Sequence, residues 1–137
     1  MAYDHYQLES KVATAVDIAS AGSVGLFSVG YQPVIVRAVV AVITTTNTVA
    51  ATVLTITHRP TAGSDTSETT VDTITIPING AAGLAYYVNG LEELLLPGED
   101  LQITTDGGGT AGNANLHVFY EPKWEQPVNI ADMVLSA

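Results

Sequence analysis

Turn signals recur along this chain about every ten residues, and that spacing limits what it can fold into. They are the small-residue stretch Ala19–Gly25, the run Thr44–Thr48, the loop Arg59–Thr70, the pairs Asn79–Gly80, Asn89–Gly90 and Pro97–Gly98, and the glycine-rich Asp106–Gly112. Asn–Gly tolerates the positive φ of a tight turn, and Pro before Gly suits a type II turn, because Pro presets φ and Gly accepts the left-handed position after it. The segments between them are short and alternate. Leu101 and Ile103 oppose Gln102 and Thr104, and Leu116, Val118 and Tyr120 repeat the pattern. Period 2 is the signature of a half-buried strand. A helix fits only at Gly90–Leu96, where Pro97 and the short length hold it to about one turn.

The same reading places strands at Lys11–Ile18, Leu26–Val29, Pro33–Thr44, Thr52–His58 and Asp72–Ile78, then at Leu84–Val88, Leu91–Leu96, Leu101–Thr105 and Asn115–Tyr120. Pro77 marks its strand as an edge near that point, since proline cannot donate to a ladder. Thr52, Leu54, Ile56 and His58 share one face of their strand. Pro33–Thr44 is apolar on both faces apart from Arg37, so it needs cover on both sides, from a second layer or from a subunit contact. Leu101–Thr105 and Asn115–Tyr120, joined by the glycine loop, read as the last hairpin. The expected fold is all-β: a single antiparallel, jelly-roll-like β-sandwich of about eight strands. It spans residues 12–122, with an N-terminal arm at 1–11 and a C-terminal arm at 123–137.

Composition bears on partners. Lys11, Arg37, Arg59 and Lys123 are the only Lys and Arg against 14 acidic residues, a net charge of −10. Nucleic-acid binding relies on neutralising phosphates with such cations, so neither nucleic acid nor an anionic membrane is an expected partner. No basic leader precedes an apolar run at the N-terminus, and Val34–Ile43 is half the length of a bilayer span, so the expectation is a soluble chain without an export signal. With 13% charged residues the surface is covered by Thr, Ser, Asn and Gly, or in part by another protein. Trp124, Val128, Ile130, Met133, Val134 and Leu135 follow the last strand, and a terminal arm that apolar has to lie on its own sandwich or on a neighbour.

Chemistry is sparse. The chain has no cysteine, which removes thiol catalysis and Cys-ligated zinc. His58 and His117 lie in expected strands, with Asp72 or Glu121 as the carboxylates that would complete an acid–base or metal site; as surface or interface imidazoles they need no such partner. Glu92–Glu93 and Glu99–Asp100 read as solvated turn charges rather than a Ca²⁺ site, and Asp106 with its glycines lacks EF-hand spacing. The glycine run joins strands and has no Lys beside it, unlike a phosphate cradle. No enzyme activity, cofactor or metal is expected. Tyr86, Tyr87 and Trp124 supply the aromatics for a sugar-stacking platform, which keeps a glycan- or host-surface-binding module of a phage tail or fibre as the alternative.

The strand–turn–strand LLLPGEDLQITT (Leu94–Thr105) and the closing ANLHVFYEP (Ala114–Pro122), in an acidic, Cys-free, low-charge sandwich with arms, resemble the head decoration, or cement, proteins of tailed bacteriophages. The resemblance implies a structural virion protein, made in the host cytoplasm and sited on the capsid exterior. It implies that several copies associate, as a homotrimer before a homodimer, bridging subunits of the major capsid protein and stabilising the shell. The contact residues it suggests are Tyr3, Tyr6, Leu8, Arg59, Trp124, Val128, Ile130, Met133 and Leu135, together with the loop Pro60–Thr70.

Overall fold

The centre of the fold is the strand that is apolar on both sides. β-Branched side chains fit a pleated surface, and Val34–Thr45 forms one unbroken strand of 12 residues. In the computed structural model, which describes residues 8–107 and 111–123, it is the third of nine strands. They are β1 (Glu9–Asp17), β2 (Gly22–Ser28), β3 (Val34–Thr45), β4 (Thr52–Arg59), β5 (Thr69–Ile76), β6 (Ala85–Val88), β7 (Glu93–Leu95), β8 (Asp100–Thr105) and β9 (Asn113–Pro122). Among the described residues there is no helix. One antiparallel sheet has the order β1-β9-β3-β6, with β7 also on β3; the other has the order β2-β8-β4-β5.

β6 pairs with Val39–Val42 and β7 with Val34–Val36, so together they are one edge strand with a break in it. The break faces a bulge in β3 between Val36 and Ala38, and Leu91 N–H bridges it to the Arg37 carbonyl at 3.0 Å. The helical turn that fits Gly90–Leu96 in sequence is replaced by this break and by β7. Counting β6/β7 once, the pairs nest: β1 with β9, β2 with β8, β3 with β6/β7, β4 with β5. The chain is one long hairpin, tip at 60–68, wrapped into two sheets. That is a jelly roll, and it confirms the expected all-β sandwich.

The expected last hairpin is not there. β8 lies between β2 and β4, and β9 lies between β1 and β3 in the opposite sheet, so the glycine loop crosses from one layer to the other. Alternation reports which face a residue takes, not which strand lies beside it. The crossing is tight: at Gly107, φ is +75° and an added Cβ would fall on the Ala21 backbone. Two strand bounds also differ. β1 begins at Glu9, so Glu9–Lys11, read as arm, pair with Tyr120–Val118. β2 begins at Gly22 rather than Leu26, because pairing with Thr105–Asp100 extends strand through residues that resemble a turn in composition.

Other local signals hold. Glu99 N–H donates to the Leu96 carbonyl at 3.0 Å across Pro97–Gly98, and φ at Gly98 is +91°, the type II turn the pair requires. β5 is an edge strand and stops just before Pro77. The core fills the space between the layers, with Val36, Val39, Ile43, Leu116 and Val118 from one sheet and Leu54, Ile56, Ile76, Leu101 and Ile103 from the other. Each is essentially fully buried, and burying such a side chain contributes about 1.5–3 kcal/mol.

Candidate interaction face

Successive side chains on a strand alternate in direction, so β3 buries Val34, Val36, Val39, Ala41 and Ile43 and turns Ile35, Ala38, Val40 and Val42 outward. The register carries this apolar character across the sheet. Val12 on β1 lies opposite His117 on β9, His117 opposite Val40, and Val40 opposite Tyr87 on β6, a row that crosses four strands. On the neighbouring rows stand Phe119, whose ring stacks on His117 with centroids 6.3 Å apart, and Leu94, which pairs with Ile35. None of these is covered as a core residue is: Val12 is 46% exposed and Tyr87 59%, with Ile35, Val40, Val42 and Phe119 half-buried. The need for cover on both faces of β3 is therefore met on one side by the second sheet and left open on the other among the described residues. At one end the face is bounded by charge. Arg37 reaches Glu121 at 2.7 Å and Glu92 at 3.4 Å, and the hydrogen bond it donates to Glu121 holds its guanidinium above its ordinary pKa.

Arg59, expected at a capsid or subunit contact, is a buried structural residue. Its Nε and Nη2 donate to the two carboxylate oxygens of Asp100 at 2.8 and 2.6 Å, and its Nη1 to Asp65 at 3.1 Å. Gly63 N–H donates to Asp100 as well. These bonds, with Ala62 N–H to the Gly98 carbonyl, tie the loop 60–68 to the Arg59–Asp100 end of the β4–β8 pair; Thr57 and Gln102, on the same face by alternation, are also buried. The hydrogen bonds Arg59 donates to Asp100 push its pKa up by more than burial pulls it down.

His58 shares one face with Leu54 and Ile56, as expected; that face turns inward, so His58 is not the surface or interface imidazole of the simpler reading, and its partners are neither Asp72 nor Glu121. Its Nδ1 lies 2.7 Å from Glu93 of β7 and its Nε2 2.9 Å from Glu99, so it spans the two layers. Both partners are acceptors, and only the imidazolium has two N–H groups to donate. Desolvation pulls its pKa down, and the two carboxylate bonds outweigh that, leaving it above its ordinary value. Glu99 also accepts from Leu96 N–H at 2.8 Å. Glu93 and Glu99 look like solvated turn charges in the sequence, and only the wrap of the hairpin brings them to β4.

Leu8, just ahead of β1, is exposed at 56%. Tyr3, Tyr6, Trp124, Val128, Ile130, Met133 and Leu135 lie outside the described residues. Tyr86 and Tyr87 do not form one platform: Tyr87 faces out, whereas Tyr86 packs against the core. Among the described residues no group of three or more His, Asp or Glu is placed to hold a metal. An open groove between β1 and β2 contains one carboxylate, Asp17. It accepts from Ala19 N–H at 2.8 Å and Ser20 N–H at 3.1 Å, which hold its pKa below the usual carboxylate range.

No family model matches the chain, and no curated protein does. Among solved structures, a chain in the structure of the infectious bursal disease virus Gx strain is similar over 82% of this chain, at 15% identity and a TM-score of 0.35. This protein spans 33% of that chain's length. The jelly-roll assignment rests on the strand register above and not on that likeness.

Proposed function

We infer that this is a structural protein of a virion that docks on the outside of a capsid shell and bridges subunits of the major capsid protein. The observation that carries the reading is where the two ends of the sandwich lie. Glu9 pairs with Tyr120, so the segment before β1 and the segment after β9 leave side by side at one corner. Two arms from one corner give each copy two linked contacts, and association of copies multiplies them, so modest contacts sum to tight attachment. Tyr3, Tyr6 and Leu8 on one arm and Trp124, Val128, Ile130, Met133 and Leu135 on the other are the contacts proposed. Arg59 is not among them, because Asp100 and Asp65 already engage it. The low charge and the half-open apolar face suit a surface that works against other proteins.

The test is co-sedimentation with undecorated capsid shells, together with solution mass by light scattering. The full chain is expected to sediment with shells as a homotrimer, and chains lacking residues 1–8 or 124–137 to remain in the supernatant. A full chain that never sediments with shells, or binds a glycan array instead, overturns the reading.

A further inference from the structure

The outer face of the β1-β9-β3-β6 sheet is ridged. On β9 the outward side chains include His117 and Phe119, whose stacked rings make a ridge along the strand. On β3 beside it the outward side chains Ala38, Val40 and Val42 are small and leave a groove. β1, on the far side of β9, presents Ser10, Val12 and Thr14 as a second groove, and β6, beyond β3, raises Tyr87 as a second ridge. Groove and ridge therefore alternate across the strand order.

A surface with that alternation fits a copy of itself. A two-fold axis laid in the face along the strands, between β9 and β3, reverses the strand order of the second copy, so that each ridge meets a groove. His117 then comes opposite the partner's Val40, Phe119 opposite the partner's Ala38, and Val12 opposite the partner's Tyr87, because these residues stand in register on two rows of the sheet. Sheets in sandwiches pack face to face in this aligned way, about 10 Å apart. Charge follows the same symmetry. Arg37 on β3 and Glu121 on β9 stand at one end of the face, and the axis sets Arg37 of each copy against the partner's Glu121. The two rows hold no Asp, Glu, Lys or Arg, so the net charge of −10 lies away from the contact.

We propose that two copies of the chain pair face to face through this sheet, about such an axis. From Ile35 to Val42 the face is roughly 23 Å long, and four strands make it roughly 19 Å wide, so each copy contributes roughly 440 Å². A stable interface takes about 800 Å² from each partner, so this dimer is reversible and dissociates on dilution. The contact closes at two copies; added to a trimer held elsewhere, it gives six. It rests on the sheet and not on the virion reading.

The solution mass of the full chain, followed by light scattering from about 1 μM to 1 mM, should double as concentration rises. Ala38→Phe fills the groove with a side chain as large as the ridge it receives, and should abolish the rise with circular dichroism unchanged. Ala38→Phe combined with Phe119→Ala exchanges ridge and groove and should restore it. The chain has no cysteine, so thiols can report the orientation. An equimolar mixture of Val12→Cys and Tyr87→Cys chains, both substituted at exposed positions, should be joined by a thiol-reactive linker of about 10 Å, and neither chain alone should be. A mass of one copy, or of three, throughout the series overturns the proposal. So does a rise that persists in Ala38→Phe, a rise that the exchange variant fails to restore, or cross-linking as strong in either chain alone as in the mixture. Co-sedimentation with shells reads the virion role separately, so failure of the pairing and failure of that role are distinguishable.

Discussion

Replacing Arg59 with alanine would leave Asp100 as a buried carboxylate with one backbone N–H, that of Gly63, to balance it. The pair is bidentate at 2.8 and 2.6 Å, and the two side chains are 9% and 8% exposed, so solvent screens it little. Breaking a buried pair from one side costs about 3–5 kcal/mol, mostly because the remaining charge stays desolvated. A protein of this length loses about 10–17 °C of Tm for that amount. Asp100→Ala should cost a similar amount for the converse reason. Arg59→Met combined with Asp100→Leu removes both charges at similar volume and should be less destabilised than either single change. Equilibrium unfolding in urea, with fixed m-value, gives the three free energies. Single variants within about 1 kcal/mol of the parent would show that the pair behaves as a surface salt bridge. A double variant as unstable as the sum of the two singles would show that the loss lies elsewhere.

His58 predicts a pH dependence. Its folded pKa lies above the unfolded value near 6.5, so the stability it adds is full below that value and is lost as pH rises through the folded pKa. The stability difference between the parent and His58→Gln, measured by urea midpoints from about pH 6 to 9, should shrink with rising pH; a difference that grows would refute the pairing of His58 with Glu93 and Glu99. Gly107→Ala forces a left-handed φ on alanine and drives its Cβ into the Ala21 backbone, so it should cost well over about 1 kcal/mol by the same assay. A neutral result would mean that the layer crossing is looser than described. Asn47 is fully buried, accepts from Gly80 N–H at 3.2 Å and donates to the Ala50 carbonyl at 3.3 Å. Asn47→Ala should cost about 1–3 kcal/mol and speed amide exchange at Gly80.

What could be seen in the sequence follows from what periodicity encodes. The strands at Val34–Thr45, Thr52–Arg59 and Asp100–Thr105 were visible because β-branched alternation and bounding turns are local properties. That His58 shares a face with Leu54 and Ile56 is legible for the same reason, but not that a histidine there turns inward. Strand partners were not, since nothing local distinguishes a glycine loop that closes a hairpin from one that crosses between layers. Edge strand β2, rich in Gly and Ser, has too weak a pattern to show its first half. The role of Arg59 was hidden in another way: an isolated cation in an acidic chain invites an external partner until Asp100 is found beside it across the β4–β8 ladder. Glu93 and Glu99 needed still more, namely the wrap that brings β7 over the end of β4.

The corner at which both ends leave has a mechanical consequence. Glu9 faces Tyr120, and the ladder runs from there to Asp17 and Asn113. A force that separates the two ends loads the first rung alone and then each rung in turn, as a zip opens, because antiparallel bonds lie across the strands. A force that draws both ends the same way loads β1 and β9 together, and β9 is held on its other side by a ten-rung register with β3. The sandwich is weak against being spread from this corner and strong against being lifted by it. Any attachment through both arms therefore lasts longest when their anchor points lie close together.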